Sequence, residues 1–293
     1  RDRKILDASS RWGVFALSFV VMFLLMGMTQ NVVNSLCPDR RCSILTISVV
    51  QGLFVFIFPT MLSWLMTSAR PWNMMGMDRS LTLKSLGWML TLYVIAYPAM
   101  AQIIYYNADI SFPDSMKGLE QTLRDWENAG ADATAAIMST TTVGGLIVNI
   151  LIVGLFTGLA EEMFFRAGIQ RMMMASRLSP AVAIWSAAAI FSFVHFQFFG
   201  FVPRLLLGAM FGYVYWRTGS IWAPALLHGI NNSLVVVTEW INHRNGTTFD
   251  FEQYVTNTSG IPWWFIFSTL LTILFIIYSN NLSNKRIANG GGN

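Results

Sequence analysis

Charge is what this 293-residue sequence has least of: 12% of its residues are Asp, Glu, Lys or Arg, about half the share that a soluble domain uses to keep a polar skin around its core. That scarcity excludes a soluble enzyme and a disordered chain. The 19 basic residues are spread thinly between apolar runs and form no patch, which excludes a nucleic acid as partner. Histidine is rarer still, with three copies, and no His-Glu-x-x-His occurs, so the helical signature of ordinary zinc proteases is missing. Only two cysteines are present, too few for a disulfide scaffold. No internal repeat is evident.

What fills the chain is apolar: 54% of residues are hydrophobic and the mean hydropathy is +0.51. Apolar runs near 12–33, 43–69, 83–106, 143–160, 181–201, 203–217, 221–238 and 261–279 each approach the roughly 20 residues that cross a bilayer as a helix. The expected fold is all-α, a polytopic transmembrane bundle of about eight helices forming one membrane-embedded domain over 1–293. The first run reads as a retained span rather than a cleavable signal. The sixth is weakest, because Arg204 and Arg217 bracket its apolar centre and must reach the interface by snorkelling. Gly208 and Gly212 have the spacing that lets two helices approach closely.

With both termini inside, 13 of the 19 basic residues fall on the cytoplasmic side, the orientation that the positive-inside rule favours, as in a bacterial inner membrane. A polar outer segment then covers 107–140. Within it Met116, Leu119, Leu123 and Trp126 recur at helical spacing, and an amphipathic helix lying on or capping the outer surface is expected over 115–138. Cys37 and Cys42 flank a short turn in the first outer loop, close enough to be bonded or to remain a pair of thiols.

The informative residues are polar ones inside apolar runs. Three stretches supply them: Glu161-Glu162-Met163-Phe164-Phe165-Arg166, Phe191-Ser192-Phe193-Val194-His195, and His228-Gly229-Ile230-Asn231-Asn232. Each holds an i,i+4 pair that shares one helix face. A carboxylate facing lipid is costly, so adjacent glutamates imply a protein-lined, partly wet cavity. Glu162 is the natural ion-pair partner of Arg166, which leaves Glu161 for chemistry. Glu161, His195, His228 and Asn232 would suffice to activate a water and stabilise an oxyanion. One glutamate with two histidines is also an accepted zinc set, so zinc is a possible cofactor by side-chain type. Structural ion pairs and interhelical hydrogen bonds account for the same residues, as does a proton relay in a transporter.

These three blocks resemble the CPBP family of intramembrane CAAX-type proteases and their bacterial relatives, also described as bacteriocin-processing or self-immunity membrane proteases. Glu161 to Arg166 is similar to the family's Glu-Glu-x-x-x-Arg, Phe191 to His195 to Phe-x-x-x-His, and His228 to Asn232 to His-x-x-x-Asn, with Thr218-Gly219-Ser220 where a Thr-Gly-Ser turn is common. The resemblance covers about 150–240, the expected catalytic core. It implies an eight-helix endopeptidase acting on a peptide or protein substrate at the bilayer. Glu161 would activate water, His195 would hold it, Glu162 and Arg166 would brace the site, and His228 and Asn232 would stabilise the oxyanion. The family is interpreted both as metal-dependent and as metal-free; the glutamate-type mechanism without a required cofactor is favoured here. A proton-coupled transporter and a non-enzymatic scaffold or immunity protein are the alternatives. One spacing resists this reading: counted from the expected helix starts, His195 and His228 differ in depth by about 12 Å.

Overall fold

A computed structural model describes residues 8–249 and 261–288. Arg1, Arg3 and Lys4 of the basic amino-terminal segment lie outside the described residues. Every described segment of regular structure is helical, and no strand occurs among the described residues. Six helices are long and apolar enough to cross a membrane: α1 (Ala8–Leu36), α2 (Arg40–Thr67), α4 (Leu83–Ala108), α6 (Val143–Ala175), α8 (Phe201–Thr218 with the turn before it) and α10 (Trp263–Ala288). The chain is an integral membrane protein built as an α-helical bundle. Its lipid-facing positions are apolar; Leu24 and Leu274 are among the most exposed side chains, the pattern expected where the solvent is hydrocarbon.

The remaining helices are α3 (Pro71–Met75), α5 (Lys117–Met138), α7 (Pro180–Phe193) and α9 (Trp222–Asn245). All eight apolar runs are therefore helical, but two depart from the simple span. The fifth run makes only the 14-residue α7. The seventh makes α9, which is long but carries His228, Asn231, Asn232, Glu239 and Asn242, so it is not among the six. The order of weakness is thus reversed, since the sixth run qualifies and the fifth does not.

Local chemistry sets the ends. Thr82 and Ser85 cap α4 reciprocally, and Ser179 accepts from the Val182 amide to open α7 with Pro180 at its first turn. At the far end of α7 the His195 imidazole binds the Phe191 carbonyl at 2.6 Å and the Ser192 hydroxyl donates to the Phe201 carbonyl at 2.7 Å. Phe196 then turns with φ +53°. The imidazole occupies the Phe191 carbonyl that the His195 amide would take in a continuing helix, so the helix stops before His195.

Helix α6 is irregular in a useful place. Ile150–Phe156 and Met163–Gln170 are π-helical, and the two glutamates sit in the α-helical stretch Thr157–Glu162 between them. The wide turns redirect backbone carbonyls: Thr157 donates to Ile152 O five residues back, and Asn232 of α9 donates to Val153 O at 3.3 Å. Gly158 brings α6 against the α9 backbone, where an added Cβ would meet Gly229 N at 3.0 Å. Gly208 and Gly212 do the same for α8, against Ala188 and Phe191 of α7 and against Gln170, so this small-residue spacing serves close packing. Trp64 donates to Ala167 O at 2.8 Å, and Gln170 to Gly212 O at 2.9 Å, tying α2, α6 and α8 together through fully buried side chains.

Helix α5 lies across the loop that follows α7. Trp126 packs edge-on to Phe196 at 6.0 Å, Glu127 accepts from the Phe199 amide at 3.1 Å, and the Arg124 guanidinium stacks 4.1 Å over Phe199. Glu120 anchors the start of α5: it accepts from the Phe112 amide, Arg124 and Lys117. Those donors, the Phe112 amide foremost, hold its carboxyl down at about 2. Cys37 and Cys42 are free thiols with sulfurs 2.8 Å apart.

Candidate active site

Helices α6, α7 and α9 converge on one cluster. Glu162 and Arg166 are fully buried. Their atoms Oε2 and Nε lie 2.8 Å apart as an ion contact, and Arg166 Nη2 donates to Oε1 at 3.3 Å. Glu162 Oε1 also lies 3.0 Å from His228 Nδ1, so the imidazole donates its Nδ1 proton to a carboxylate already paired with arginine. That bond fixes the ring, and Phe211 stacks on it at 4.8 Å.

Glu161, on the neighbouring face, is nearly buried and makes longer contacts. Its Oε1 is 4.0 Å from His195 Nε2 and its Oε2 is 3.7 Å from His228 Nε2. Both exceed a direct hydrogen bond, and both imidazoles turn their Nε2 atoms toward the same carboxylate. His195 Nδ1 is engaged by the Phe191 carbonyl. A carbonyl only accepts, so Nδ1 carries the proton and Nε2 of the neutral ring presents a lone pair. Phe191 is the packing hub: its ring contacts His195, His228, Phe165 and, at 5.1 Å, the Arg166 guanidinium.

A cavity of about 270 Å³ opens beside Glu161 and His195, with Ser48, Gln51, Thr157 and Val194 among its walls. Polar groups and a carboxylate therefore face a space able to hold water inside the bundle. Five of the six sequence-derived site residues are joined by these contacts. Asn232 stands one turn beyond His228 and is held instead by Val153 O and by Asn231, whose amide donates to it at 3.3 Å.

Residues 143–234 match the family model described as Type II CAAX prenyl endopeptidase Rce1-like. A Rce1-like domain occupies this stretch of the chain. It contains Glu161, Glu162, Arg166, His195, His228 and Asn232, together with the Thr218-Gly219-Ser220 turn. No curated protein and no solved structure matches the chain.

The 12 Å depth problem does not arise in the Rce1-like domain, because both imidazoles reach Glu161. The reason lies under α9. Segment 71–79 folds beneath its start: Ile221 N donates to Gly76 O at 3.1 Å, Ser220 Oγ to Arg79 O at 2.6 Å, and Trp222 Nε1 to Met77 O at 3.0 Å. Ser220 and Ile221 are buried, so α9 begins within the protein, deeper than its hydropathy suggests.

Sequence reasoning missed three residues near the cluster. Gln51 of α2 lines the cavity at Glu161. Tyr93 of α4 donates to Asn231 at 3.0 Å, extending the hydrogen bonds of Asn232. Arg204, set aside as a snorkelling end charge, instead folds inward: it donates to Gln197 Oε1 at 2.6 Å and interacts electrostatically with Glu161 and Glu127. Among the described residues no group of three or more His, Cys, Asp and Glu side chains is arranged as metal ligands.

Proposed function

We propose that this protein is an intramembrane endopeptidase that hydrolyses a peptide bond with a water activated by Glu161. The observation that carries the reading is the disposition of Glu161, whose two oxygens face His195 Nε2 at 4.0 Å and His228 Nε2 at 3.7 Å beside the polar cavity. A water between Glu161 and His195 donates one hydrogen to the carboxylate and the other to the Nε2 lone pair, leaving its own lone pair for attack.

The water oxygen bonds to the scissile carbonyl carbon as its proton passes to Glu161. The resulting oxyanion is stabilised by His228, when it carries a proton at Nε2, and by the second amide hydrogen of Asn232. The tetrahedral centre collapses with cleavage of the carbon–nitrogen bond, and Glu161 returns its proton to the departing amine. Glu162 and Arg166 act as positioning residues that orient His228. The substrate is a peptide or protein segment presented from the bilayer, and the site requires no metal in this scheme. A cytoplasmic amino terminus in a bacterial inner membrane is the orientation that fits the distribution of basic residues.

The test is incubation of the protein in liposomes with a library of membrane-inserted peptides, followed by mass spectrometry of new termini. Wild type is expected to produce defined cleavage products and Glu161→Gln none. Ion-dependent uptake without products would instead assign the buried carboxylates to transport.

A further inference from the structure

At the end of the bundle opposite α5, a small cavity of about 190 Å³ is walled by Asn73, Met74, Arg79, Arg171, Tyr215 and Gly219, among others. Arg171 stands in the last turns of α6, Tyr215 in the last turns of α8, and Arg79 just before α4. All three therefore lie where spans meet the membrane–water interface. Exposed Trp72, Trp216 and Trp222 gather at the same level, as interfacial aromatics do.

Two guanidiniums converge here without a counter-charge. Neither Arg79 nor Arg171 forms an ion pair among the described residues, whereas Arg124 and Arg166 each have a glutamate. The Nε of Arg171 is buried with no hydrogen-bond partner, and its Nη2 reaches only the Met74 sulfur at 3.8 Å, a weak acceptor. Both arginines interact electrostatically with the Tyr215 hydroxyl, which is itself turned to the Met75 carbonyl at 3.3 Å. The nearby acid, Asp78, is exposed and accepts from Asn73 at 3.1 Å.

The Thr218-Gly219-Ser220 turn shapes this place. Gly219 has φ +66°, and a Cβ there would collide with the Arg79 guanidinium. Glycine thus serves the turn and also lets Arg79 lie across it. The Arg79 backbone is fixed by Ser220, so the arginine is held over the cavity from both sides of the chain.

We propose that Arg79 and Arg171 form a binding site for a phosphate group at the membrane interface, either that of an anionic lipid headgroup or free phosphate. Forked guanidinium donors match phosphate oxygens, and basic pockets between membrane helices retain anionic headgroups. The anion would supply the acceptor that buried Arg171 Nε otherwise lacks. This site is separate from the Glu161 cluster and does not depend on the proteolytic reading.

The test is native mass spectrometry of delipidated protein titrated with phosphatidylglycerol, with and without inorganic phosphate. Wild type is expected to retain one phosphatidylglycerol, and Arg79→Gln/Arg171→Gln to weaken its binding about tenfold or more. Arg217→Gln, which removes another cation from the same end, is expected to bind like wild type. Displacement of the lipid by millimolar phosphate would assign the site to free phosphate, and resistance to it would assign the site to the headgroup. Should the double variant fail to fold, Arg79→Gln alone changes an exposed side chain and is expected to weaken binding severalfold. Equal binding by wild type and the arginine variants, or binding of neither probe to wild type, would overturn the proposal.

Discussion

Glu162 serves two partners at once: Oε2 lies 2.8 Å from Arg166 Nε while Oε1 lies 3.0 Å from His228 Nδ1. The buried arginine is thereby neutralised and the imidazole oriented by the same carboxylate. Glu162→Gln strips the charge from this junction and leaves Arg166 buried without a counter-ion, a loss of about 3–5 kcal/mol where such pairs have been broken. The variant is expected to unfold at clearly lower temperature than Glu161→Gln in the same detergent. Equal unfolding temperatures would remove the bracing role from Glu162.

His195 donates from Nδ1 to Phe191 O and presents Nε2 to Glu161. Its side chain lies past the end of α7 and is partly exposed, so His195→Ala should preserve the fold. Turnover of a peptide substrate is expected to fall by about 10²- to 10⁴-fold. A rate within a few-fold of wild type would show that the water is held without it.

Tyr93, Asn231 and Asn232 form a hydrogen-bonded series from α4 to α9. Tyr93→Phe removes the first donor and is expected to reduce kcat about fivefold with little change in KM, since a single neutral hydrogen bond contributes about 1 kcal/mol. Asn231→Ala should act on the same series, so the double variant should lose less than the product of the two single losses. Independent, multiplicative losses would separate Tyr93 from Asn232.

The scheme routes the proton through Glu161 and requires no metal. Protein purified with substoichiometric zinc is therefore expected to cleave peptide at the wild-type rate after treatment with a strong chelator, as followed by metal analysis beside the assay. Stoichiometric zinc that is lost and restored together with activity would replace the glutamate-type mechanism with a metal-dependent one.

Glu120 ties α5 to the Phe112 amide, and its carboxyl is held down at about 2 against an ordinary value of 4.5. A depressed folded-state value means that the carboxylate contributes stability fully above the ordinary value, lost as pH falls from there toward 2. The protection of the amides at the start of α5, relative to their intrinsic exchange rate at each pH, is expected to fall over that window. Glu120→Gln should remove the acid dependence, and an unchanged profile in that variant would assign it to another group.

The helices were legible in the sequence because lipid demands long apolar runs, and the three motif blocks were legible because Glu161, His195 and His228 are expensive in hydrocarbon. What escaped depends on contacts distant in sequence. The end of α7 rests on His195 capturing the Phe191 carbonyl, which hydropathy does not register. The raised start of α9 rests on segment 71–79 folding beneath Ile221. The inward turn of Arg204 needs Gln197 as acceptor, and charge at the end of an apolar run reads equally well as snorkelling. The roles of Gln51 and Tyr93 exist only once α2 and α4 are packed against α6 and α9.

The central claim is that the Glu161 carboxylate activates the attacking water. It is tested most directly by the single-turnover cleavage rate of Glu161→Gln in liposomes, alongside its unfolding temperature. The expected result is a rate lowered by about a thousandfold or more in a protein that unfolds within a few degrees of wild type. A folded Glu161→Gln protein that cleaves within tenfold of the wild-type rate would contradict it.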